Sequence, residues 1–172
     1  MPASFRLLAA AAATAVGLAT AAAAQMENSF KPSPGFSQLT PLAGDWQGKN
    51  SAGKEVSASY QVVSGGWALL ERLRTSDEPE MVTVYTPDGD HVAVTHFCSA
   101  GNQPQMRTAA VTGATNSFSF SFVRATNLQS PETGHMHHLT VTLQDKDHFT
   151  QEWTWQEKGK GHTEVFRFTR KS

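Results

Sequence analysis

The sequence predicts an all-β fold: about ten short antiparallel strands joined as sequential hairpins, closed as an up-and-down barrel or stacked as a sandwich, preceded by a short helical turn. Three observations predict it. Turn-forming clusters recur at 50–54, 64–66, 76–80, 88–89, 100–104, 113–116, 126–134, 145–147 and 158–161. The segments between them alternate apolar and polar residues, as half-buried strands do. Past residue 42 no segment keeps a helical period over a useful length, so nothing competes with the strand reading.

The chain begins with the pattern of a secretory signal. Arg6 supplies a short basic region, residues 7–20 an apolar core rich in Ala, and Ala22-Ala23-Ala24 a small-residue cleavage site before Gln25. Residues 1–24 are therefore read as a signal peptide and excluded from the fold. The apolar run is too short, and too poorly flanked by charge, for stable membrane insertion. Export to the periplasm or the extracellular space follows. Residues 25–36, rich in Ser and Pro, read as a flexible leader, and 36–42 as a single helical turn before Gly44. The remaining stretch, 37–172, is one domain's worth of chain, large enough to build a core without disulfides. The single cysteine, Cys98, cannot form an intrachain bridge, so it is a buried inert thiol or a dedicated reactive group.

The formal net charge of −1 falls by one when Arg6 is removed, and the basic residues are scattered. That argues against nucleic acid and anionic membrane as partners. A small molecule is the expected partner, and oligomeric state is left open.

Hairpin geometry assigns the faces, because directly paired residues of an antiparallel ladder share one. With Asp88-Gly89 as a two-residue loop, Tyr85 opposes Val92, Thr83 opposes Val94 and Met81 opposes His96. One face then holds Met81, Thr83, Tyr85, Val92, Val94, His96 and Cys98. A turn at Gly65-Gly66 pairs Val62 with Leu69, Tyr60 with Glu71 and Ala58 with Leu73, which carries Glu71 inward. A three-residue loop at 145–147 pairs Leu143 with Phe149, Val141 with Gln151 and Leu139 with Trp153, and His135 and His137 extend that row. A turn at Lys158-Gly159 pairs Trp153 with Glu164 and Phe149 with Phe168, which turns Phe166, Phe168 and Arg170 inward. Phe118, Phe120 and Phe122 complete an aromatic wall, and Arg107 is a candidate to join the interior.

Leu42-Ala43-Gly44-Asp45-Trp46 on the first strand, the meander of short strands and Arg170 near the end of the last one resemble the calycin superfamily: lipocalins, fatty-acid-binding proteins and nitrobindin-like barrels. The resemblance implies a lipocalin-like barrel in which Trp46 packs across the closed end against Arg170. Glu80-Met81-Val82-Thr83-Val84-Tyr85, Asp88-Gly89-Asp90, Thr95-His96-Phe97-Cys98, Gly101-Asn102-Gln103-Pro104 and His135-Met136-His137 also resemble a group of uncharacterised exported bacterial proteins. In the nitrobindin-like branch haem is bound by a histidine on a late strand, and the nearest positions here are His148 and His162.

So many inward polar groups imply a wet cavity, since each buried polar group needs a partner. The expected ligand site comprises Glu71, Tyr85, His96, Cys98, His137, Trp153 and Phe120, with Trp155 as a further stacking surface and Asn102 and Gln103 on a lid. The role expected is binding of a small, partly apolar molecule in the barrel interior, with no cofactor required. Two alternatives stand beside it. A small enzyme would use His96 as general base with Glu71 orienting it, or a metal, zinc being best suited, held by His96, Glu71, His135 and His137. A filled structural barrel would hold no ligand at all.

Overall fold

The computed structural model describes residues 32–172. The expected signal peptide, and the leader as far as residue 31, lie outside the described residues.

The first element is a short helix, α1 (Pro34–Leu39), continued by a 3-10 turn over Thr40–Leu42. It starts earlier than expected, and residues 33–36 belong to the domain and not to a leader. Ser33 is buried and its Oγ accepts from the Phe36 amide at 3.2 Å, while Pro34 occupies the first turn, a pairing that starts a helix efficiently. Phe36 and Leu39 are fully buried. Gln38 ties the helix to the following chain by donating to the Gly113 carbonyl and accepting from the Thr115 amide.

Ten strands follow: β1 (Gly44–Lys49), β2 (Glu55–Val63), β3 (Ala68–Thr75), β4 (Met81–Asp88), β5 (His91–Phe97), β6 (Gln103–Thr108), β7 (Ser117–Thr126), β8 (His135–Leu143), β9 (His148–Glu157) and β10 (Lys160–Arg170). Each pairs antiparallel with the next, and β10 returns to β1, closing the barrel. Closure leaves no sheet edge unpaired.

The expected pairings of β2 with β3, β8 with β9, and β9 with β10 are observed residue for residue. That of β4 with β5 is corrected: Asp88 faces His91, so the loop is Gly89-Asp90, Tyr85 opposes Val94 and Thr83 opposes His96. Gly89 takes the first central position with a φ of 58°, where a type II′ turn places its glycine. Moving the loop by one residue shifts each pairing by two, so every side chain keeps its face. Arg107 is a second correction. It opposes Ser121 on the outer face, is 42% exposed, and pairs with Asp88 at 2.9 Å.

The helix end of the bore is apolar. Trp46 meets Phe149 edge-on at 4.7 Å, and Phe149 stacks on Phe168 at 4.7 Å. Arg170 pairs with Trp46 across the closing seam, its guanidinium 4.1 Å from the ring centroid. It also donates to the carbonyls of Pro41, Ala43 and Lys146, clasping the 3-10 turn to the strand end.

Candidate functional site

Four neighbouring strands place Tyr60, Glu71, Thr83 and His96 on one rung, each opposite the next. All four are buried, Glu71 completely. With Arg107 outside, no cation neutralises the carboxylate among the described residues. Neutral donors hold it instead. The Tyr85 hydroxyl donates to Glu71 Oε2 at 2.9 Å, and Gln151, from β9 on the facing wall, donates to Oε1 at 2.7 Å. Gln151 also donates to the Tyr60 hydroxyl at 2.8 Å and accepts from Trp153 Nε1 at 3.2 Å. Burial holds the Glu71 carboxyl above its usual range, and the bonds from Gln151, Tyr85, Tyr60 and Thr83 pull it back. Burial likewise raises Tyr60 and Tyr85 well above the ordinary phenol range, with the Glu71 charge adding to it.

Thr83 links this network to His96. Its hydroxyl contributes to holding Glu71 and lies 2.9 Å from His96 Nδ1. The tautomer follows the direction of this bond: where Thr83 accepts from His96 Nδ1–H, Nε2 is a bare acceptor. Nε2 has no partner. His96 lies against Trp153 at 4.6 Å, and burial pushes its pKa down to about 4, so the ring is neutral at ordinary pH. Asn102 Oδ1 is the other buried atom without a partner, and it too is an acceptor, because the Asn102 amide donates to the Gly134 carbonyl at 2.9 Å.

The end of the barrel away from α1 gathers Thr95-His96-Phe97-Cys98, Gly101-Asn102-Gln103-Pro104 and His135-Met136-His137, stretches distant in sequence that terminate β5 or open β6 and β8. An open cleft of about 530 Å³ lies there, lined by Phe122, Leu128, Pro131, His135, His137 and Gln156 among others. A β-bulge between Met136 and His138 interrupts the pairing with β9. His137 stacks on Phe122 at 5.0 Å, and His135 meets the same ring at 4.7 Å. His135 Nδ1 donates to the Thr133 carbonyl at 2.7 Å, and its Nε2 lies 3.1 Å from His137 Nδ1. Desolvation, then the neighbouring His135 and His138, lower the His137 pKa.

The expected site residues thus divide. Glu71, Tyr85, His96, Trp153 and Phe120 are buried in the packed bore. Of the seven, His137 lines the cleft. Cys98 lies one residue past the end of β5, half-buried at the rim against the core, with its thiol accepting from the Ala100 amide at 3.5 Å. Burial raises its pKa above the usual thiol range. His96, Glu71, His135 and His137 do not converge: among the described residues no group of three or more His, Cys, Asp or Glu side chains is placed to hold one metal ion. His148 is exposed beside Asp145, and His162 is exposed on β10. Gln151 is the residue that sequence reasoning passed over. Its pairing with Val141 carries it inward, but a neutral amide has neither the charge nor the ring that marks a candidate site residue in a sequence.

No protein-family model matches the sequence, and no curated protein matches it. Solved structures do. Rv2717c from M. tuberculosis superposes with a TM-score of 0.58 at 10% identity, over 83% of this chain and all of that one. A protein of unknown function from the DUF3598 family of Nostoc punctiforme PCC 73102 gives 0.51 at 12% identity over 83% of this chain. The match spans about half of that protein, 51%. At such identities the likeness is one of fold.

Proposed function

We propose that this protein is an exported, lipocalin-like binding protein for a small, partly apolar molecule, with the ligand held at the open end of the barrel and not at its centre. The observation that carries the reading is the cleft of about 530 Å³ in which Phe122, His135 and His137 present packed rings as one wall. Its volume falls within the roughly 300–1,000 Å³ of small-molecule pockets, and an aromatic wall with a few polar atoms is what such pockets offer. Export is supported by the signal pattern over residues 1–24.

The centre serves as support. Glu71, Tyr60, Tyr85 and Gln151 bond one another across the bore, so the polarity that suggested a wet cavity is answered within the protein. His96 is 1% exposed, which favours a fixed acceptor over a general base working on a substrate. His96 Nε2 and Asn102 Oδ1, buried atoms without partners, are not among the residues that line the cleft.

Fluorescence titration with 1-anilinonaphthalene-8-sulfonate tests the reading. One saturable site per chain is expected, weakened about five-fold by Phe122→Ala, since stacking on one aromatic ring contributes about 1 kcal/mol. Saturable binding that ignores Phe122→Ala, or no saturation, would leave the filled structural barrel. Native mass spectrometry of protein from its own host would then identify the natural ligand as a co-purified mass.

A further inference from the structure

We propose that His135 and His137 chelate one divalent transition-metal ion, Cu²⁺ foremost, through His135 Nε2 and His137 Nδ1. The inference rests on the geometry of this pair and not on the small-molecule reading above.

The two nitrogens are 3.1 Å apart. Two imidazoles bound to one ion at about 2.0 Å, at an angle between square and tetrahedral, hold their nitrogens roughly 2.8–3.3 Å apart. The spacing of a hydrogen bond between the rings is therefore also that of a chelate. Residues two apart on a strand share a face, which puts both rings on the same side of β8, next to the bulge at Met136–His138.

The protonation pattern is prepared as well. The Thr133 carbonyl can only accept, so the His135 proton sits on Nδ1 and the lone pair on Nε2 points at His137. Anchoring the far nitrogen of a ligating histidine on a carbonyl is the usual outer support of a metal site. Binding the ion requires the proton on His137 Nδ1 to leave for solvent while Nε2 takes one up. The ring stays neutral and no net proton is released. Both rings line the cleft, from which water or an added donor would complete the coordination. His138, third in the run, is excluded, because its Nε2 is engaged outside the barrel with Ser119 at 3.1 Å and Thr140 at 3.4 Å. Imidazole pairs of this kind favour Cu²⁺ among the common divalent ions, as the Irving–Williams order requires.

The test is a Cu²⁺ titration of the full mature chain, carrying no histidine tag, followed by electron paramagnetic resonance with glycine as competitor. One equivalent with two equatorial nitrogens is expected, the affinity falling about ten-fold or more in His137→Phe and in His135→Gln, and unchanged in His138→Ala. His137 is partly exposed, so His137→Phe keeps the stack on Phe122 and serves if His135→Gln does not fold, as judged by circular dichroism. Unchanged affinity in folded His137→Phe would overturn the proposal. So would wild-type binding that does not saturate below about 1 mM, the regime of adventitious contact. Because 1-anilinonaphthalene-8-sulfonate binding is read separately, failure of the metal site leaves the ligand reading standing, and the reverse.

Discussion

Gln151 Nε2 reaches Glu71 Oε1 at 2.7 Å from the facing wall of the barrel, joining β9 to β3 through the bore. This bond substitutes for the cation that a buried carboxylate ordinarily requires. Replacing Gln151 by Leu leaves Glu71, the Tyr60 hydroxyl and Trp153 Nε1 each one bond short, and is expected to destabilise the protein by about 3 kcal/mol. Urea unfolding measures it. Glu71→Gln in the same series should couple with Gln151→Leu by about 1–2 kcal/mol, whereas additive losses would mean the two do not act as a unit.

At the closing seam, Arg170 contributes through its fork as well as its charge. Arg170→Ala removes the contact with Trp46 and the bonds to Pro41, Ala43 and Lys146, an expected loss of about 2 kcal/mol. Arg170→Lys keeps a charge but cannot reach several carbonyls at once, and should recover less than half of that loss. Equal stability of the Lys variant and the wild type would reduce the interaction to charge alone.

Acid should weaken the fold through His96. Its folded pKa is about 4 against an ordinary 6.5, so the unfolded chain binds the extra proton in that interval. The contribution is complete above pH 6.5 and is lost as pH falls toward 4, amounting to about 3 kcal/mol. Glu71 acts with the opposite sign: its raised pKa favours the folded state at low pH and costs stability as pH rises above 4.5. Comparing wild type with His96→Asn at pH 7 and pH 5 isolates the histidine. A pH slope identical in the two proteins would show that His96 does not titrate in this window.

Cys98 is predicted to react slowly in the native state. Half burial at the rim and a raised pKa keep the thiolate scarce at neutral pH. Labelling by 5,5′-dithiobis(2-nitrobenzoate) at pH 7 should be about ten-fold or more slower than in guanidinium, and should accelerate as pH passes the ordinary thiol range. Native labelling as fast as unfolded labelling would contradict this placement.

Alternation and turn chemistry determined ten antiparallel strands in sequential hairpins and the faces of their side chains, because strand periodicity and hairpin parity are local. The Trp46–Arg170 contact was implied by the calycin resemblance, and closure of the meander into a barrel is observed in the structure. Even the misplaced loop at Gly89-Asp90 left the faces intact, since such a slip shifts pairings in steps of two. What tertiary structure alone decided is which inward polar groups find one another. Gln151 meets Glu71 across the bore, Arg107 turns outward to Asp88, and His135 and His137 pack on Phe122 beside a bulge in β8. These relationships join residues far apart in the chain, or lie beside an irregular residue in a strand. A face assignment tells which side of a sheet a group occupies, while distance across a barrel depends on closure, tilt and packing, which no local pattern encodes.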